Sequence, residues 1–143
     1  MVGEEGTTKL AFVCVQNAGR SQMAAAFAER EVESRGLTDV DVVTGGTRPA
    51  DAVHDVVVEV MREEGFDLSD RRPREVTAEE LVDADVVVTM GCSAEDVCPS
   101  TFGGDSRDWA LDDPAEATRE DARGIRDEVR RRVTELFDEL EMA

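Results

Sequence analysis

The chain has 143 residues, 41% of them hydrophobic, enough for one domain that buries roughly two-thirds of the surface its unfolded form would expose, without a metal or disulfide staple. Its 34 acidic residues against 16 basic ones leave a formal charge of −18, which argues against nucleic acid and anionic membranes as partners. No apolar run approaches the ~18–20 residues of a membrane span, and the acidic start Met1–Gly6 is unlike a secretion signal, so a cytoplasmic location is expected.

Lys9 is the single lysine. A carboxylate-rich, lysine-poor surface suits concentrated salt, where the Debye length falls to about 3 Å at 1 M and self-repulsion is screened. An anion would still be bound, provided that amides and arginine act on it at contact distance.

In chain order, residues 1–7 are expected to be flexible and 8–13 form a first strand. The run Cys14-Val15-Gln16-Asn17-Ala18-Gly19-Arg20-Ser21 follows, and 21–35 read as a helix that buries Met23, Ala26 and Phe27 and ends at Gly36. Val40, Val42 and Val43 predict a second strand, and Thr44 to Pro49 a loop. Val53, Val56, Val57, Val60 and Met61 then recur at helical spacing. Thr77-Ala78-Glu79-Glu80 has the spacing of a capping box, and Ala84–Met90 is a β-branched run fit for a strand buried on both faces. Gly91 to Pro114 reads as loop with a short strand near Trp109, a packing residue. Thr118 caps a last helix whose stripe is Ile125, Val129, Val133, Leu136 and Leu140. The expected fold is α/β, a single catalytic domain over 1–143 built as a three-layer sandwich on a four-stranded parallel sheet, with its ligand beyond the strands' carboxyl ends.

Cys14 stands at such an end. A strand, a glycine-bearing loop and a helix start turn backbone N–H groups and partial positive charge toward one point, which stabilises both a thiolate and an oxyanion there. Arg20 offers a planar fork matching two oxygens of a phosphate-like ion. Ser21 can donate to the Cys14 sulfur, Asn17 tolerates left-handed angles at the apex, and Gly19 permits a tight turn. Cys14 and Arg20 are therefore the nucleophile and the anion clamp, and Val15, Gln16, Asn17, Ala18, Gly19, Arg20 and Ser21 the oxyanion-binding set. The alternative is a small buried cysteine at a strand end.

Cys92 and Cys98 lie beyond the Ala84–Met90 strand, on the rim that carries Cys14 in a parallel sheet. Their spacing does not fit a zinc knuckle, no metal is expected, and serial disulfide exchange stands against two incidental loop thiols. Asp113, fixed by Pro114, is the candidate acid for a leaving oxygen, with Asp112 left to cap, solvate or orient. His54, the sole histidine, is read as a polar rim or helix-start residue.

With these residues the chain resembles the thioredoxin-coupled arsenate reductases, which share the low-molecular-weight tyrosine phosphatase fold. The likeness spans nearly the whole length and rests on Cys14-x5-Arg20-Ser21, Thr44-Gly45-Gly46-Thr47-x-Pro49, Glu59-Val60-Met61, Asp67-Leu68-Ser69, Thr89-Met90-Gly91-Cys92, Cys98-Pro99, and Asp108-Trp109 leading to Asp113-Pro114. The resemblance implies a relay. Cys14 attacks arsenate while Asp113 helps expel water, Cys92 attacks Cys14 and releases arsenite, and Cys98 attacks Cys92. No cofactor is implied beyond an external thiol reductant, thioredoxin or a low-molecular-weight thiol. Ala18 and Gly45 depart from the family pattern, and the Cys92–Cys98 interval is close to the commonest one. A tyrosine phosphatase working through a cysteinyl-phosphate is the alternative, weakened by a chain without tyrosine and by Ala115-Glu116 where aromatic walls are usual. A non-catalytic oxyanion or redox sensor is a second alternative.

Overall fold

The computed structural model describes residues 8–90, 105–112, 114 and 117–142. The expectations for residues 1–7, Cys92, Cys98, Asp113 and Ala115-Glu116 lie outside the described residues.

Four strands, β1 (Thr8–Cys14), β2 (Val40–Gly46), β3 (Val86–Met90) and β4 (Asp105–Asp108), form one parallel sheet in the order β2-β1-β3-β4. Every residue of β3 is buried, as its unbroken apolar run requires. Along β1, Leu10, Phe12 and Cys14 face the larger core, whereas Ala11 and Val13 face a smaller one completed by Leu81, Ala84 and Val87. Helices α1 (Arg20–Ser34), α2 (Asp55–Arg62) and α4 (Arg119–Met142) supply the large core through Met23, Phe27, Val57, Val60, Val129, Val133 and Phe137. Helix α3 (Ala78–Val82) covers the other face through Leu81. The layers expected from the alternation of strands and helices are thus present.

Local chemistry explains the boundaries. Ala24, Ala25, Ala26 and Ala28 give α1 strong helix formers with side chains small enough for close packing on the sheet, and all are buried. Gly36, at φ +66°, takes the left-handed conformation that ends that helix. Thr77 and Glu80 form the full capping box of α3, and Thr118 accepts from the Asp121 N–H at 3.1 Å to start α4. Trp109 packs against Phe12 with ring centroids 6.0 Å apart.

One boundary differs from the sequence reading. β2 runs on through Thr44, Gly45 and Gly46, which were expected to be loop, and pairs them with Phe12, Val13 and Cys14. The glycines are there for close approach, since a Cβ on Gly46 would lie 2.5 Å from the Val15 carbonyl oxygen and one on Gly45 would lie 2.8 Å from Val76 Cβ. The backbone of 74–76 takes the space, with Gly46 N–H donating to Arg74 O at 2.9 Å and Val76 N–H to Gly46 O at 3.1 Å.

Behind the sheet, Arg126 ties α4 to α2. It is 7% exposed and donates to the Val60 carbonyl at 2.9 Å and to Glu63 at 2.7 Å. Hydrogen bonds from Arg123 and Arg126 hold the Glu63 carboxyl down at about 2. No helix of the described residues is long and apolar enough to cross a membrane.

Candidate active site

The segment from Val15 to Gly19 leaves the carboxyl end of β1 and wraps the Cys14 sulfur before α1 begins. The Asn17 N–H donates to Cys14 Sγ at 3.1 Å, and the Ser21 hydroxyl lies 2.9 Å from the same sulfur. Asn17 has φ +53°, the left-handed apex its residue type predicts. This backbone turn aims its N–H back at the sulfur. The sulfur thus has an amide and a hydroxyl within hydrogen-bond distance.

The cradle is braced from the β2 side. Thr47 N–H donates to Cys14 O at 3.2 Å, Arg48 N–H to Val15 O at 2.7 Å, Ala50 N–H to Gln16 O at 2.9 Å and His54 N–H to Ala18 O at 3.0 Å. The carbonyls of Cys14, Val15, Gln16 and Ala18 are thereby bonded to the Thr47–His54 segment, while the Asn17 N–H is directed at the sulfur. Ala18 and Gly19 are buried, Gln16 is exposed and Arg20 is half-buried. Cys14 keeps only 2% exposure, less than an open nucleophile would show, because the loop closes around it. A reactant has to meet the sulfur inside that loop.

Arg20 begins α1 and donates from Nη1 to the Leu111 carbonyl at 2.9 Å. Pro114 approaches from the same segment, since a Cβ on Gly19 would lie 2.8 Å from Pro114 Cγ and 3.5 Å from His54 Cδ2. Gly19 is therefore needed less for turn geometry, as expected from sequence, than for the space occupied by the Pro114 ring. Leu111 and Pro114 thus both contact the start of α1 and the end of the cradle. Asp112 is exposed. His54 is the N-cap of α2, as its helix-start reading holds. An open groove of about 860 Å³ flanks Leu111, but Asp112, Glu120, Asp121 and Glu128 line it against the one cation Arg132, a poor setting for an anion.

Sequence reasoning missed Gln22, Thr44 and the backbone of Arg74 as parts of this site. Gln22 is 1% exposed in a helix whose next six residues are buried and, apart from it and Ser21, apolar there, and that polar intrusion was the available signal. The Arg74 contribution is a backbone N–H, which no residue type announces.

A model of the low molecular weight phosphotyrosine protein phosphatases matches residues 9–143. The chain belongs to this family. Within the low molecular weight phosphatase family, a Halobacterium salinarum protein provisionally named an arsenate reductase is 60% identical over 137 residues, covering 95% of each chain. Among solved structures, the thioredoxin-dependent arsenate reductase of Corynebacterium glutamicum superposes with a TM-score of 0.77 at 33% identity, over 95% of this chain. The chain spans 63% of that protein's length. An arsenate reductase in its phosphate-binding state gives 0.77 at 28% identity, covering 93% of this chain and 98% of its own.

Proposed function

We propose that the chain reduces arsenate to arsenite, with Cys14 as nucleophile, Arg20 and the amides of Val15 to Ser21 as the anion cradle, and Cys92 and Cys98 as the relay. The observation that carries this reading is the register of β1 and β3, in which Cys14 is the Cα partner of Met90. Neighbouring strands lie about 4.8 Å apart. Cys92 follows Met90 by two residues in the sequence, and that spacing supports a relay between the two thiols. A phosphatase has no use for that thiol.

In the proposed sequence the Cys14 thiolate forms an S–As bond as one arsenate oxygen leaves as water, its proton supplied by Asp113. The Cys92 thiolate then attacks Cys14 Sγ. The S–As bonding pair stays on arsenic, which departs as arsenite, and a Cys14–Cys92 disulfide remains. Attack by Cys98 on Cys92 frees Cys14, and the resulting Cys92–Cys98 bridge is reduced by an external dithiol or two thiols. Thioredoxin is the proposed reductant, with a low-molecular-weight thiol as its substitute, and no bound cofactor enters. Such cycling requires a compartment that keeps thiols reduced, which is why we place the chain in the cytoplasm, one rich in salt given the −18 charge and the single lysine.

Mass-spectrometric mapping after one arsenate turnover without reductant tests the relay. The expected product is a Cys92–Cys98 bridge with Cys14 free. Cys92→Ser is expected to abolish arsenate turnover while retaining slow hydrolysis of an aryl phosphate at the shared cradle. Arsenate reduction by Cys92→Ser at the wild-type rate would overturn the reading.

A further inference from the structure

We propose that Gln22 is a positioning residue for Cys14, acting by locking the Asn17 side-chain amide in the one orientation that leaves the Ser21 hydroxyl hydrogen for the sulfur. The inference deepens the proposed function and rests on its reading of Cys14 as the reacting sulfur.

The orientation of each group follows from groups that have no choice. The backbone N–H of Arg74 can only donate, so the Asn17 atom 3.1 Å from it is the acceptor Oδ1. Gln22 approaches two acceptors, Asn17 Oδ1 and the Asn17 main-chain oxygen, both at 3.1 Å, so the end it presents is Nε2. Asn17 Nδ2 is thereby turned the other way, and its two hydrogens go to Ser21 Oγ at 2.7 Å and Thr44 Oγ1 at 2.9 Å. The Thr44 hydroxyl spends its own hydrogen on the Phe12 carbonyl at 2.9 Å. Ser21 Oγ, already accepting from Asn17, has its hydrogen left for Cys14 Sγ at 2.9 Å.

If the Asn17 amide were reversed, Oδ1 would face Ser21 and draw that hydrogen away from the sulfur. Arg74 N–H and Gln22 Nε2 both oppose the reversal, and of the two only Gln22 can be removed by changing a side chain. Its position carries a cost. The same orientation leaves Gln22 Oε1 buried with no hydrogen-bond partner. A glutamine serving only its own burial would not keep an unpaired acceptor, because burying one without a partner is unfavourable.

The test is the rate at which iodoacetamide labels Cys14 at pH 7, read peptide by peptide in the full-length chain by mass spectrometry. Gln22→Met keeps the length of the side chain and removes the unpaired acceptor together with the two donated bonds, so a folded variant is expected. It should label Cys14 about tenfold more slowly than wild type, the scale of one hydrogen bond to a charged group. The decisive comparison is the same substitution in a Ser21→Ala background, where the effect should shrink to within about twofold, since there is no hydroxyl left to orient. Gln22→Glu, which at pH 7 places an acceptor where Asn17 needs a donor, gives the same pair of readings should the methionine variant not fold. An unchanged labelling rate in Gln22→Met overturns the proposal. So does an equal slowing with and without the Ser21 hydroxyl, which would make Gln22 a packing residue only. Labelling needs no arsenate, so a wild-type chain that labels readily but never reduces arsenate would sink the reductase reading alone.

Discussion

At Cys14 the sulfur draws on two donors whose loss should be separable. Ser21→Ala leaves the Asn17 N–H in place and is expected to lower kcat for arsenate by about tenfold to a hundredfold with little change in KM, because a hydrogen bond to a charged atom contributes about 1.5–3 kcal/mol. Steady-state kinetics with a thiol reductant check it, and an unchanged kcat would remove Ser21 from the machinery. Gly46 makes a sharper steric case. A Cβ there meets the Val15 carbonyl at 2.5 Å, a backbone atom of the cradle that cannot rotate aside, so Gly46→Ala should cost about 1–3 kcal/mol in urea unfolding and depress activity as well. Much of the site was legible at this scale. Cys14, Asn17, Arg20 and Ser21 are close in sequence, and each residue type states its chemistry. Gln22, the Arg74 N–H and the Leu111 carbonyl were not legible, because their roles come from chain segments brought together only in the fold.

Among the elements, α3 has only five residues and depends on its cap. Thr77→Ala removes the acceptor of the Glu80 N–H and is expected to cost about 1 kcal/mol, measured as a shift in the urea midpoint at unchanged slope. Hydrophobic period and capping signals were enough to locate every helix described here within a residue or two. β2 was cut short in the sequence reading because Thr-Gly-Gly-Thr has the composition of a turn. What makes it strand is the crowding of Val15 and Val76 against the two glycines, information that resides in the partner segments.

For the whole molecule, charge decides the response to solvent. Hydrogen bonds from Arg123 and Arg126 hold Glu63 at about 2, and those from Arg131 and Arg132 hold Glu128 at about 2, both below the ordinary carboxylate value. A depressed folded-state value means that this contribution to stability is complete above the unfolded carboxylate range and is lost as pH falls from about 4.5 toward 2. Urea midpoints should therefore drop across that window, and Arg123→Gln should flatten the drop. Both carboxylates are exposed enough that salt should shrink the effect. Near neutrality the sign of the salt response reverses, because the excess negative charge repels itself in the folded state and screening relieves it. Thermal midpoints should rise between low salt and about 1 M potassium chloride.

The bond from Arg20 to the Leu111 carbonyl ties the cradle to a segment far away in sequence. The same guanidinium that would grip an incoming ion is in contact with the strand-to-helix passage at 109–112, and the Pro114 ring rests on Gly19 just beyond. Loading the cradle with inorganic phosphate should therefore slow deuterium uptake by amides at 109–112, more than 85 positions along the chain from Arg20 but one hydrogen bond away.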